Sequence, residues 1–268
     1  MGVDEILEEG PFDKPYRERT VLKHLNIMNS LFKFAARAGH HPESPPPSWE
    51  LSEELEDDEG WAPFSKPVLE TFFQQSYCTR PAVREKNLEN FWTPLIALHG
   101  GPRLAEICQL YVEDIIEIDG VWCFDINRKK DKSLKSKNSI RIIPIHRFLI
   151  ELGFLDYAKS VQHERLWPNV KWTKKAGYSK DVGNRMQKMI RRNITEDEDM
   201  VFHSFRNTFA EKLSHEARHS DEDIAFILGH EAQYKITQKY RGRKPAHIFK
   251  KIIDDFDPGI DLSHLFRQ

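Results

Sequence analysis

From Thr20 to Ala38 the apolar positions Leu22, Leu25, Ile27, Met28, Leu31, Phe32 and Phe34 crowd one broad face at helical spacing, and Gly39 follows as a stop. The pattern then collapses. His40-His41-Pro-Glu-Ser-Pro-Pro-Pro cannot continue a helix, because proline lacks the amide donor and clashes with the preceding turn. Glu50 to Glu59 add seven acidic residues, a composition that resists packing. Helical spacing returns after Trp61. Ser65 is placed to cap a helix ending near Ser76, and a second helix is expected from about Glu85 to His99. Gly100-Gly101-Pro102 breaks that helix and opens a third, in which Leu104, Ile107, Cys108 and Tyr111 fall at i, i+3, i+4 and i+7. Between Asp114 and Ile145 the period shortens to two. Asp114–Ile118, a turn at Asp119-Gly120, Val121–Ile126 and Ile140–Ile145 predict three short antiparallel strands, after which helical spacing resumes to the end. The expected fold class is mainly α with a small antiparallel three-stranded sheet (α+β). Four segments follow: residues 1–44 with the N-terminal helix, a Pro-rich and acidic linker at 45–62, a main domain at 63–256 and a C-terminal tail at 257–268.

Composition narrows the choice of class. A chain of 268 residues accommodates one large domain or two modest ones. Six Trp, seven Tyr and 17 Phe are too many anchors for a chain disordered throughout. No run approaches the roughly 20 apolar residues of a membrane span. The first 25 residues, with Asp4, Glu5, Glu8 and Glu9, lack the basic start and apolar stretch of a signal peptide. Cys78, Cys108 and Cys123 are an odd number without a CxxC, which argues against a disulfide scaffold or a cysteine zinc site and for a reducing cytoplasm. The net charge of −2 conceals an asymmetry: residues 1–60 carry 14 acidic and six basic side chains, and the remainder 28 acidic and 34 basic. The densest basic stretch lies between the second and third strands, where Arg128, Lys129, Lys130, Lys132, Lys135, Lys137 and Arg141 face Asp131 alone. Such a turn is either simply solvated or faces phosphate.

Four pieces carry candidate chemistry. The first is Gly-Gly-Pro-Arg103-Leu-Ala-Glu106, opening a helix, and the second is the basic turn followed by Ser139-Ile-Arg141-Ile-Ile-Pro144. The third is His203-Ser-Phe-Arg206, where His203 and Arg206 share a face beside the apolar stripe Phe202, Phe205, Phe209 and Leu213. The fourth is Ile227-Leu-Gly229-His230, with Tyr240 ten residues after that histidine. There Ser220 and Asp223 resemble a capping box, and Gly229 stops the helix so that His230 stands just beyond its end. Taken singly, each is more often structural than chemical.

In this order the pieces closely resemble the catalytic domain of the tyrosine recombinase (phage integrase) family, over about residues 61–245. The resemblance implies Arg103, Lys135, His203, Arg206 and His230 as an activating set, Tyr240 as nucleophile and Glu106 as supporting acid. Tyr234 stands too close to His230 to fit. Within the turn, Lys132, Lys135 and Lys137 could each bind backbone phosphate, and alignment on Ser139, Arg141 and Pro144 favours Lys135 as the acid; Lys132, Lys137 and Arg141 are then expected to contact DNA. The helix at 20–38 looks like the last helix of the family's core-binding domain, which about 45 residues are too few to complete. Pro102 departs from the residue usual before the arginine, and a helix start tolerates it.

The implied function is site-specific recombination that cuts and rejoins double-stranded DNA through a 3′-phosphotyrosyl link, with no cofactor and no metal. Two guanidiniums suit the charge of a phosphorane, a tyrosine of pKa near 10 needs help to ionise, and the 5′-oxygen needs a proton to leave. A type IB topoisomerase shares this chemistry, but the Leu-Gly-His box and the linker favour recombination; the alternative is an integrase-derived DNA-binding remnant without activity. His215-Glu216-Ala-Arg-His219 matches the HExxH zinc pattern, but Glu222 and Ala225 stand where its extension requires Gly and His. In the tail, Leu262, Leu265 and Phe266 form an apolar face too short to stand alone as a helix. That face is expected to mediate self-assembly on DNA by docking in trans, with the free chain's tail loose or folded back.

Overall fold

The computed structural model describes residues 18–40, 61–136, 139–174, 177–230 and 246–266, and the chain divides into two units, 1–60 and 61–268. The first unit contributes one described helix, α1 (Glu18–Arg37), close to the expected span. Its stop is chemical. Gly39 takes φ 74°, its N–H donates to Ala36 O at 3.0 Å, and His40 N–H donates to Ala35 O at 2.9 Å, which is a Schellman motif.

The second unit begins with α2 (Lys66–Phe73), which Ser65 precedes in extended backbone and Pro67 helps to start. It ends three residues earlier than the spacing suggests, and one-turn pieces at Ser76–Thr79 and Pro81–Arg84 follow. Next comes α3 (Leu88–Gly100), whose expected first turn at Glu85–Asn87 is 3-10, because Asn87 leaves helical geometry at φ −148°, ψ 69°. Nearly every residue of α3 is buried, as befits a helix apolar all round. The short α4 (Leu104–Cys108) stops before Tyr111.

The sheet follows in the order β1 (Ile115–Ile118), β2 (Val121–Ile126), β3 (Arg141–Pro144), antiparallel throughout. Ile118 pairs with Val121, so Asp119 and Gly120 form a two-residue turn with both φ positive (51° and 78°), the geometry that matches strand twist. Ile126 pairs with Arg141 across the long basic connection. Then come α5 (Arg147–Glu151), α6 (Phe154–Ser160), α7 (Lys180–Met189), α8 (Ser204–His215), α9 (Asp221–Leu228) and α10 (Ala246–Asp254). α8 lies along α3, and α9 and α10 flank β3.

The core is aromatic. Phe205 meets Phe64 and Phe72 edge-on at 4.7 and 4.8 Å between centroids, and Phe202, Phe209 and Leu213 are buried with it, so the expected stripe of α8 faces inward. The tail folds back onto its own domain as a 3-10 turn (Ser263–Phe266). Leu262 and Leu265 are buried, while Phe266 meets Phe148 edge-on and keeps 44% of its surface. No helix among the described residues is long and apolar enough to cross a membrane.

One buried group sits uneasily in this core. His99 stacks on Phe148 at 4.9 Å and donates its Nδ1–H to Leu95 O at 2.9 Å, which leaves its buried Nε2 without a hydrogen bond. Burial, and then the neighbouring His146, pull its pKa down to about 3. An unfolded chain, with histidine near 6.5, therefore binds the proton first, and stability falls as pH drops from 6.5 toward 3. His99→Phe keeps the ring stack and removes the unpaired nitrogen. It should raise stability by about 1 kcal/mol at pH 7 and flatten the acid limb of a urea-denaturation series; an unchanged acid limb would assign that limb to other groups.

Candidate active site

Arg103 caps the N-terminus of α4, where Gly101 and Pro102 turn the chain out of α3. Gly101 is required there twice over. Its φ of 69° is one that L side chains rarely adopt, and a Cβ would stand 2.5 Å from Leu228 Cδ2 and 2.9 Å from Phe209 Cδ1. Glu106, the third residue of α4, turns its carboxylate back on the helix start. Oε2 accepts the Arg103 backbone N–H and Oε1 accepts Arg103 Nη1, both at 2.9 Å. From β3, Arg141 Nη2 donates to the same Oε2 at 2.9 Å. The Glu106 and Arg141 side chains are 3% and 1% exposed but that of Arg103 is 21% exposed, so Arg103 is the member of this trio that opens to solvent. Burial alone would raise the Glu106 carboxyl; Arg141 and Arg103 outweigh it and hold the group below its usual range.

Arg206 comes from α8 and is buried. Its Nη1 donates to Gly101 O at 2.5 Å and its Nη2 to Leu228 O at 2.6 Å. Arg141 adds bonds from Nε to Ile227 O at 2.6 Å and from Nη1 to Ser139 O at 2.8 Å. The guanidiniums thus satisfy carbonyls at the ends of α3 and α9, where unpaired acceptors and the helix dipole both favour a cation. A planar fork with five donors can serve several such acceptors at once, which an ammonium cannot do in fixed directions. Burial, then Arg103 and Arg141, pull Arg206 down to about 9, so it stays charged at neutral pH.

Two imidazoles border this cluster. Ser220 Oγ accepts Asp223 N–H at 3.2 Å to begin α9, and Gly229 (φ 68°) ends it in a second Schellman motif, with His230 N–H donating to Ala225 O at 2.9 Å. His230 is exposed just past that end, and half-buried His203 precedes the first turn of α8. Burial, then Arg206 and Arg103, pull both histidines down to about 4, so both are neutral at pH 7. Lys135, exposed on the basic turn, also disfavours the charged form of His230, which places that turn on the same side. Three guanidiniums against one carboxylate leave a surplus of positive charge beside two proton-accepting imidazoles. Such a site can hold an oxyanion and take up a proton.

Arg103, Glu106, His203, Arg206 and His230 therefore converge as the motifs imply, with Lys135 nearby; Tyr240 and Lys137 lie outside the described residues. Two expected DNA contacts are corrected. Lys132 is buried, with Nζ 2.5 Å from Asp114 Oδ1, and Arg141 is paired with the Glu106 carboxylate and has all three guanidinium nitrogens bonded, so each spends its charge on a buried carboxylate and not on an outside phosphate. Within the HExxH match, α8 ends at His215, Glu216 pairs with Lys212 at 2.8 Å and His219 with Asp255 at 3.1 Å. Arg141 as an inward-facing member of the cluster was missed, although the strand alternation Arg141, Ile143 on the buried face carries that signal.

Removing the carboxylate leaves Arg141 buried and unpaired. Glu106→Ala should cost about 3–5 kcal/mol by urea denaturation at pH 7. Because folding lowers the Glu106 pKa, its stabilisation is present above the usual carboxylate range and is lost as pH falls through the folded value. The difference between wild type and variant should therefore shrink below about pH 4. A constant difference down to pH 3 would show that the carboxylate charge is not what matters.

The fold is similar to that of the Tn1549 transposon integrase, solved in complex with a circular intermediate DNA, at a TM-score of 0.58 and 18% identity over 89% of this chain and 78% of that one. It is also similar to the integrase from mycobacterium phage Brujita, at 0.51 and 15% over 94% and 78%. No curated protein matches the chain. The mainly helical architecture with its small antiparallel sheet is that of tyrosine recombinase catalytic domains. The sequence profile of the phage integrase family spans residues 76–247, more than half of the protein and every arginine of the buried cluster, and the chain belongs to that family of site-specific recombinases.

Proposed function

We propose that this protein is a DNA strand transferase that cuts and rejoins double-stranded DNA at specific sites through a 3′-phosphotyrosyl intermediate. The observation that carries the reading is the meeting of Arg103 and Arg206 at one junction, with His203 and His230 held neutral beside them. The Tyr240 oxygen attacks phosphorus and its proton passes to His203. Charge builds on the nonbridging oxygens, where Arg103 and Arg206 oppose it and His230 adds a donor once protonated or from its neutral N–H. The bond from phosphorus to the 5′-oxygen breaks, and Lys135 supplies the proton that lets the 5′-hydroxyl leave. Rejoining reverses each transfer, so the energy of the broken bond is kept in the phosphotyrosyl ester and no nucleotide is spent. That the Tn1549 integrase is solved with DNA supports DNA as the partner here.

The test is covalent capture. Incubated with a pool of nicked duplexes of randomised central sequence, the protein should form adducts that survive denaturing electrophoresis and can be sequenced to give its preferred site. Tyr240→Phe should abolish the adduct while leaving duplex retention by the protein almost unchanged. A persistent adduct in that variant would remove Tyr240 from the role.

Assembly on DNA is assigned to the tail, which in the structure occupies its own domain through Leu262 and Leu265. Deleting residues 259–268 should spare cleavage of a single captured half-site and prevent multi-subunit complexes in sedimentation. Intact higher-order complexes without the tail would overturn docking in trans.

A further inference from the structure

The segment that follows α4 grips the root of the basic turn at several points. Gln109, the residue that ends α4, is buried, and its side-chain amide forms a matched pair of hydrogen bonds with the backbone of one residue of the turn. Its Nε2 donates to Ser133 O and its Oε1 accepts Ser133 N–H, each at 3.0 Å. Two residues on, the Tyr111 hydroxyl donates to Asp131 at 2.7 Å, as does the Tyr178 hydroxyl, while the Arg165 guanidinium lies 4.4 Å over the Tyr111 ring, 3.8 Å over the Tyr178 ring and bonds to Asp131. Asp114 holds Lys132 Nζ and accepts from Asn127 Nδ2 at 2.8 Å. Every one of these contacts falls at or before Ser133. Lys135, two residues later, is the first exposed lysine beyond the gripped part.

We propose that Gln109 is a positioning residue for the leaving-group acid: its amide fixes the main chain at Ser133 to the end of the helix that Arg103 begins, so that the arginine and Lys135 are held on one rigid piece. This rests on the assignment of Lys135 as the acid. α4 is five residues long, with Arg103 and Glu106 at its start and Gln109 at its end. A side chain that engages both main-chain hydrogen-bonding groups of a single residue ties down the two peptide units that flank its Cα, which one bond would not do. Asp131 and Lys132 are held independently, so the root of the turn stays folded without Gln109. What is lost is the setting of the main chain at Ser133, two residues before Lys135.

The variant Gln109→Met keeps the unbranched shape and removes both bonds. The readout compares the captured half-site in two forms, one with the natural 5′-bridging oxygen and one with sulfur there, whose thiolate leaves without a proton. Lys135→Ala serves as the reference, and thermal melting tracks folding. Gln109→Met should cleave the oxygen substrate about 10- to 100-fold more slowly and the sulfur substrate within about twofold of wild type, following Lys135→Ala. Gln109→Glu retains the acceptor for Ser133 N–H but not the donor, and should fall between the two if Gln109→Met does not fold. Equal losses on both substrates, or no loss on oxygen, would overturn the role of Gln109. Failure of sulfur to rescue Lys135→Ala would instead overturn the acid assignment itself.

Discussion

One buried carboxylate lets two guanidiniums occupy the same small volume. Taking an arginine out of water costs several kcal/mol even after relaxation, and packing like charges together adds repulsion. Glu106 offsets both for Arg103 and Arg141, and the geometry is specific: one oxygen serves the Arg103 side chain, the other serves its backbone and Arg141. Because Glu106 lies one turn from Arg103, the helix start and the ion pair are a single local structure. Arg141 then brings β3 to that helix, and the sheet cannot shift without breaking a buried charge pair.

Arg206 extends the same logic without a carboxylate. Its partners are the oxygens of Gly101 and Leu228, so α8 is pinned to the turn before α4 and to the end of α9. The Arg206 guanidinium is therefore held in a fixed place and orientation, and preorganised charge of that kind is where most electrostatic catalysis originates. Burial, and after it the same cations, keep His203 and His230 neutral, so the imidazoles and the positive charge beside them are set by one cluster.

Much of this was legible in the chain because it is local. The turn at Asp119-Gly120, the cap at Ser220, the stop at Gly229 and the inward stripe of α8 each follow from a few adjacent residues, and the structure has them where the spacing puts them. The meeting of Arg103 with Arg206 was legible only through the order of the motifs, since nothing local joins residues a hundred positions apart. The errors have the same origin. Lys132 and Arg141 sit in a run of positive charge that reads as solvent-facing, and only the fold reveals that Asp114 and Glu106 reach them from α4 and beyond. Gln109 gave no signal, because a glutamine after a helix is ordinary until its distant peptide partner is known.

The bonds of Arg206 have a consequence for divergence. Both of its acceptors belong to the main chain, and a main-chain oxygen is supplied by whatever residue occupies the position. The side chains around such a joint can drift freely provided the backbone path survives, whereas a joint between two side chains must change both partners together. A site fastened in this way loses little when its surroundings are rewritten. A joint of this kind is compatible with a fold that resembles that of the Tn1549 integrase at 18% identity.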